Sequence, residues 1–228
     1  MDILRRILAT ALAAGILAGL AITVFQHFST APLILNGEVY EEQAAASMPA
    51  THDHEGVAAW EPRNGFERTA YSFLANLLTG VGFALVLTSL YVLRGRPVTW
   101  REGLLWGLAG FVVVALAPGL GLPPELPGMP ASALGPRQTW WVATALLTAI
   151  GLALVFLRRD LWAVVLGVAL IVAPHLWGAP PPMDEPSTVP ASLEHSFIVA
   201  VTISTFLFWV VLGALSGAFY RRFGGSAA

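Results

Sequence analysis

Apolar residues come in blocks along this chain, with polar residues gathered between them. The blocks cover about 7–28, 70–93, 103–117, 139–157, 161–176 and 196–219. Crossing a bilayer as helix takes roughly 20 apolar residues, so the pattern predicts six membrane helices. The third and fifth blocks are short for a full crossing. The fold class expected is an all-α polytopic membrane protein, a single membrane domain over 1–228 embedded in the lipid bilayer. The first block follows Arg5 and Arg6 as in a signal peptide. Its run from Ile7 to Phe25 is too long for one, and Pro32 follows the small residues "STA", so it reads as a retained first span. The longest polar interval, 29–69, reads as an acidic, histidine-bearing outer loop.

The blocks repeat. "LWGLAGFVVVALAPGL" (Leu105–Leu120) lies without a gap over "LWAVVLGVALIVAPHL" (Leu161–Leu176), and both run on into Gly and paired Pro. "RTAYSFLANLLTGVGFALV" from Arg68 lies likewise over "RQTWWVATALLTAIGLALV" from Arg137. "TAPL" after the first span is a weaker echo, and the sixth span fits poorly. The repeat predicts three tandem helical hairpins, spans 1–2, 3–4 and 5–6. Proline lacks an N–H and disfavours helix in the residue before it, so each Ala-Pro is expected to stop or bend its helix. Gly15-x-x-x-Gly19, Gly103-x-x-x-Gly107 and Gly213-x-x-x-Gly217 are spacings that let helix backbones approach closely.

Charge adds a direction. All twelve basic residues are Arg, and nine fall at the termini or in the 94–102 and 158–160 connections, with only three acids beside them. The remaining segments hold three Arg against eleven acids. The positive-inside rule then puts both termini in the cytoplasm and the acidic segments outside. All five His fall on or toward the acidic side. Only 11% of the chain is charged, against about a quarter in a soluble domain. There is no Cys, which excludes disulfides and thiolate metal sites.

The candidate chemistry is metal binding. In "HDHE", His52, Asp53, His54 and Glu55 offer imidazole and carboxylate ligands suited to a borderline divalent cation such as cobalt, nickel or zinc. A solvated linker is the other reading. Glu38 lies upstream in the same interval. His175 follows Pro174 at a helix end, where polar groups line a cavity or merely bond nearby carbonyls. Glu194 and His195 open the sixth span, as ligands or as helix-terminus residues. No span interior carries Asp, Glu, Lys or Arg, and proton-coupled carriers usually bury such a group. No nucleotide-binding, nucleophile-elbow or His-Glu-x-x-His pattern is present, so neither an enzyme nor a nucleic-acid partner is expected.

These residues resemble the CbtA family of probable cobalt-transporter subunits. The likeness is carried by "RRILATALAAGILAGL", "APLILNGEVYEE", "WEPRNGFERTAYSFLANLLTGVGFAL", "LAPGLGLPPELPG", "RQTWW", "PHLWGAP" and "GALSGAFYRRF". It implies a bacterial inner-membrane subunit that supplies cobalt for cobalamin synthesis with a small, single-helix, His-rich partner, CbtB. No cofactor is then bound permanently. The metal, cobalt with nickel as the alternative, is cargo. On this reading His175 is the leading ligand, with Glu194, His195 and Glu38 near the outer helix ends, and "HDHE" is an auxiliary lure. The competing reading is a non-transporting membrane scaffold or assembly factor that binds a small membrane partner.

Overall fold

A computed structural model describes residues 3–47, 60, 62–158, 160–183 and 186–224. Among the described residues there are helices and no strands, as the blocks predict. We number them α1 (Ile3–Phe28), α2 (Thr30–Ser47), α3 (Phe66–Arg94), α4 (Trp100–Gly121), α5 (Leu134–Leu157), α6 (Leu161–Trp177) and α7 (Ala191–Phe223). Five of them, α1, α3, α4, α5 and α7, are long and apolar enough to cross a membrane, and α6 is a shorter apolar helix. Its 17 residues rise roughly 25 Å at about 1.5 Å each, somewhat under the roughly 30 Å of hydrocarbon.

Local sequence sets several of these ends. Gly95 stops α3 in the left-handed conformation (φ 65°), which costs glycine nothing. Thr99 and Glu102 start α4 as a reciprocal cap: Glu102 N–H donates to Thr99 Oγ1 at 3.3 Å and Thr99 N–H to Glu102 Oε2 at 2.9 Å.

Proline breaks the helices less than expected. α4 runs through Pro118 to Gly121 because the turn before it widens into a π-helix, Val112–Leu116, in which Ala117 N–H reaches back to Val112 O. α6 runs through Pro174 to Trp177. Thr30 and Pro32 start a helix rather than end one, since the first turn has no N–H bonds for proline to remove. The interval read as a loop from residue 29 therefore opens with 18 helical residues rich in Leu, Glu and Ala.

The pairing of spans also departs from three tandem hairpins. α1 and α3 pack together as expected, but α4 crosses α7, and α5 forms a hairpin with α6. The glycines explain the choice. A Cβ on Gly213 would lie 2.7 Å from Gly107 Cα, and one on Gly217 would lie 2.9 Å from Gly103 Cα, so the two predicted Gly spacings pack against each other. Gly15 meets Val81 and Gly80 in the same way at the α1–α3 crossing, with a would-be Cβ 2.5 Å from Val81 Cα. Gly167 of α6 finds its complement in Gly151 of α5, where a Cβ would come within 2.6 Å of Gly151 O, and this commits span 5 to span 4.

Helices α1, α3, α4 and α7 thus form one packed unit. Its core is Ala11, Ala14 and Ala18 against Ala84, Leu87 and Tyr91, closed by Phe208, Trp209 and Leu212. Several polar groups inside it are partnered, while the Thr10 hydroxyl, fully buried on α1, is not. Asn76 Nδ2 donates to Gln26 Oε1 (2.7 Å) and Thr23 Oγ1 (3.0 Å), and Tyr91 shares a 2.9 Å bond with Ser216. Arg6 donates to Tyr220 O at 2.9 Å and lies over the Tyr220 ring, so the two terminal helices meet at the arginine-rich end. The α5–α6 hairpin sits to one side and meets this unit at the π turn and the end of α4.

Candidate metal-handling end

The opposite end collects the C-termini of α1, α4 and α6, the N-termini of α3, α5 and α7, and α2. Helix α2 lays Leu33 and Ile34 against Leu126, Val189 and Phe197, a small second core that covers this end. The loop after α4 is tied to the loop after α6. Ser132 Oγ donates to Pro180 O (2.8 Å), Met183 N–H to Ala131 O (3.3 Å) and Thr188 N–H to Gly128 O (3.1 Å).

Two carboxylates here are held by guanidinium groups. Arg68 Nη1 donates to Glu38 Oε2 at 2.9 Å, its Nη2 bonds the other carboxylate oxygen, and Asn64 Oδ1 accepts from the same Arg at 2.8 Å. Arg137 Nη1 donates to Glu125 Oε2 at 2.6 Å. The two pairs are equivalent in the repeat. Each joins an acid that follows an Ala-Pro to the Arg that opens the next span. Glu38, expected as a metal ligand, is thus half-buried and occupied by Arg68.

His175 lies half-buried in the last turn of α6. The Trp140 ring stands edge-on to it, with centroids 5.9 Å apart. Trp140 Nε1 donates to Pro174 O at 3.3 Å, an oxygen that also accepts from Gly178 N–H at 3.0 Å. The same indole occupies the space beside Gly121, where a Cβ would lie 2.8 Å from Cζ2. Trp140 therefore holds the ends of α4 and α6 around the imidazole. Its place in "RQTWW", over Tyr71 of the aligned segment, was the only sequence signal for it. His195 is exposed in the first turns of α7, and neighbouring Glu194 accepts from Ser187. His27 is exposed at the end of α1, its ring against Phe28.

The geometry does not gather these groups into one ligand set. Among the described residues, no three His, Cys, Asp or Glu side chains are placed to hold a metal ion. His52, Asp53, His54 and Glu55 lie outside the described residues. What this end offers is dispersed imidazoles, two Arg-held carboxylates and the exposed Glu41 and Glu42 of α2.

Comparison with known families finds a match over residues 4–221 to the family described as "probable cobalt transporter subunit (CbtA)". Comparisons with curated proteins and with solved structures return no significant match.

Proposed function

Because the chain belongs to the CbtA family of probable cobalt transporter subunits, we propose that it is the polytopic subunit of a divalent-cation uptake system that imports cobalt for cobalamin synthesis. It sits in the bacterial inner membrane with both termini in the cytoplasm and works with a small single-helix, His-rich, CbtB-like subunit. The family is one of transport subunits rather than enzymes, and cobalt is cargo, not a cofactor. The observation that carries the reading beyond the family is the polarity of the bundle. The described His side chains and most described acids sit at one end, and most Arg side chains at the other.

In this reading His52, Asp53, His54 and Glu55 concentrate the hydrated cation outside. His175, with Glu194 and His195, takes it at the helix ends, where imidazole nitrogen suits cobalt and nickel. Glu38 joins only when Arg68 lets go. Cells making the chain with its partner should accumulate labelled cobalt above the empty-vector level, and excess nickel should compete better than magnesium. Uptake equal to the vector control contradicts the proposal.

The scaffold reading draws on one observation, that no ligand cluster is assembled among the described residues. It predicts a purified protein that binds neither cobalt nor nickel yet co-purifies with a membrane complex.

A further inference from the structure

Three hydroxyls in the described residues are buried and have no hydrogen-bond partner: Thr10, Thr144 and Thr148. Two of them, Thr144 and Thr148, are four residues apart on α5, and both are fully buried. Several threonines elsewhere in these helices bond the carbonyl one turn back. Thr23 reaches Gly19 O (2.8 Å), Thr88 Ala84 O (2.8 Å), Thr139 Gly135 O (2.9 Å) and Thr202 Ile198 O (2.7 Å). Leaving a buried hydroxyl unbonded costs about 1–3 kcal/mol. Two on one face call for something to bond.

Their place can be read from the contacts on either side. Trp140, Thr144, Thr148 and Gly151 share one face of α5. Trp140 reaches Pro174 and His175 of α6, and Gly151 reaches Gly167 and Ile171. The two hydroxyls between them therefore face the Gly167–His175 stretch. This stretch contains Pro174, which is buried and has no N–H, so the Leu170 carbonyl lacks its helical bond. The other neighbour of α5 is the end of α4, where Pro118 is buried behind the π turn and likewise leaves one carbonyl without a donor. The two prolines are the aligned Ala-Pro positions of the repeat. The seam where α5 meets α6 and the end of α4 thus has the two hydroxyls on one side and the two proline-bearing turns on the other.

We propose that this seam is a binding site for a monovalent alkali cation of sodium size, held by Thr144 Oγ1, Thr148 Oγ1 and the carbonyl oxygens freed by Pro174 and Pro118. All of these oxygens are neutral. A neutral set leaves a divalent ion's charge uncompensated in the interior, whereas hydroxyls and main-chain carbonyls at broken helices are the usual ligands of a singly charged hard cation. The span interiors hold no carboxylate or amine to carry a proton, so a coupling ion would have to be held by such oxygens. The site goes beyond the cobalt reading and does not depend on it.

The test uses no cobalt, so the two readings fail separately. The thermal unfolding midpoint of the purified full chain in detergent is measured in sodium, potassium and choline chloride at equal ionic strength. Sodium is expected to raise the wild-type midpoint by several degrees over choline, and potassium by less. Thr144→Val with Thr148→Val should abolish the sodium increment, while Thr144→Ser with Thr148→Ser keeps it. If the double valine variant does not fold, Thr148→Val alone should raise the sodium concentration for half-effect several-fold. Equal wild-type midpoints in sodium and choline would mean the hydroxyls bind water only and would overturn the proposal. A full sodium increment in the valine variants would overturn it as well.

Discussion

The two packing units of this protein use the same residue alphabet to different ends. In the α1–α3–α4–α7 unit, backbone crosses backbone at Gly15, Gly103, Gly107, Gly213 and Gly217, and Asn76, Tyr91 and Ser216 have partners. In the α5–α6 hairpin there is one Gly–Gly crossing and there are two unbonded buried hydroxyls, against one, Thr10, in the larger unit, while both units carry a proline within a helix and exposed apolar faces. Lipid tails are as apolar as Leu, so close packing and hydrogen bonds, not hydrophobicity, hold the helices of each unit together. The second meets the first at the π turn and the end of α4, beside Trp140 and His175.

The difference can be broken from either side. Gly213→Leu places a side chain where Gly107 Cα stands. Overpacking a tight site costs about 1–3 kcal/mol, and more where backbone is the obstacle, so this variant should give little or no monodisperse protein by size-exclusion chromatography. Trp140→Leu removes the donor to Pro174 O and the bulk beside Gly121. A loss of roughly 1–3 kcal/mol is expected in thermal unfolding, with uptake falling further than stability because the last turn of α6 is freed. Arg137→Ala and Arg68→Ala break part-exposed ion pairs worth about 1 kcal/mol or less each. They should barely move the unfolding midpoint, yet expose Glu125 and Glu38. Cobalt binding by the purified protein should be unchanged or stronger in these variants. A collapse of the fold on losing either Arg would make the pairs structural pillars instead.

Much of the fold was legible because the bilayer imposes it. A run of about 20 apolar residues has few alternatives to a helix. Even the partner of span 3 was half-written: Gly103/Gly107 and Gly213/Gly217 share a spacing, and the structure packs them together. What escaped was non-local. Which glycine faces oppose one another decides the pairing, and the repeat favoured neighbours in sequence. Helix α2 was hidden by Pro32, since proline signals a break in mid-helix and nothing of the kind in a first turn. At the site, His175 was marked by its helix end, but its neighbour Trp140 and the Arg68–Glu38 pair depend on chain segments 30 or more residues apart.

Where the metal is taken up is tested most directly by comparing two sets of histidines. Labelled cobalt uptake should fall to near background in His175→Ala and stay within about twofold of wild type, a difference worth roughly 0.4 kcal/mol, in His52→Ala with His54→Ala. Undiminished uptake in His175→Ala, or a larger loss in the loop double variant, would contradict the role given to His175.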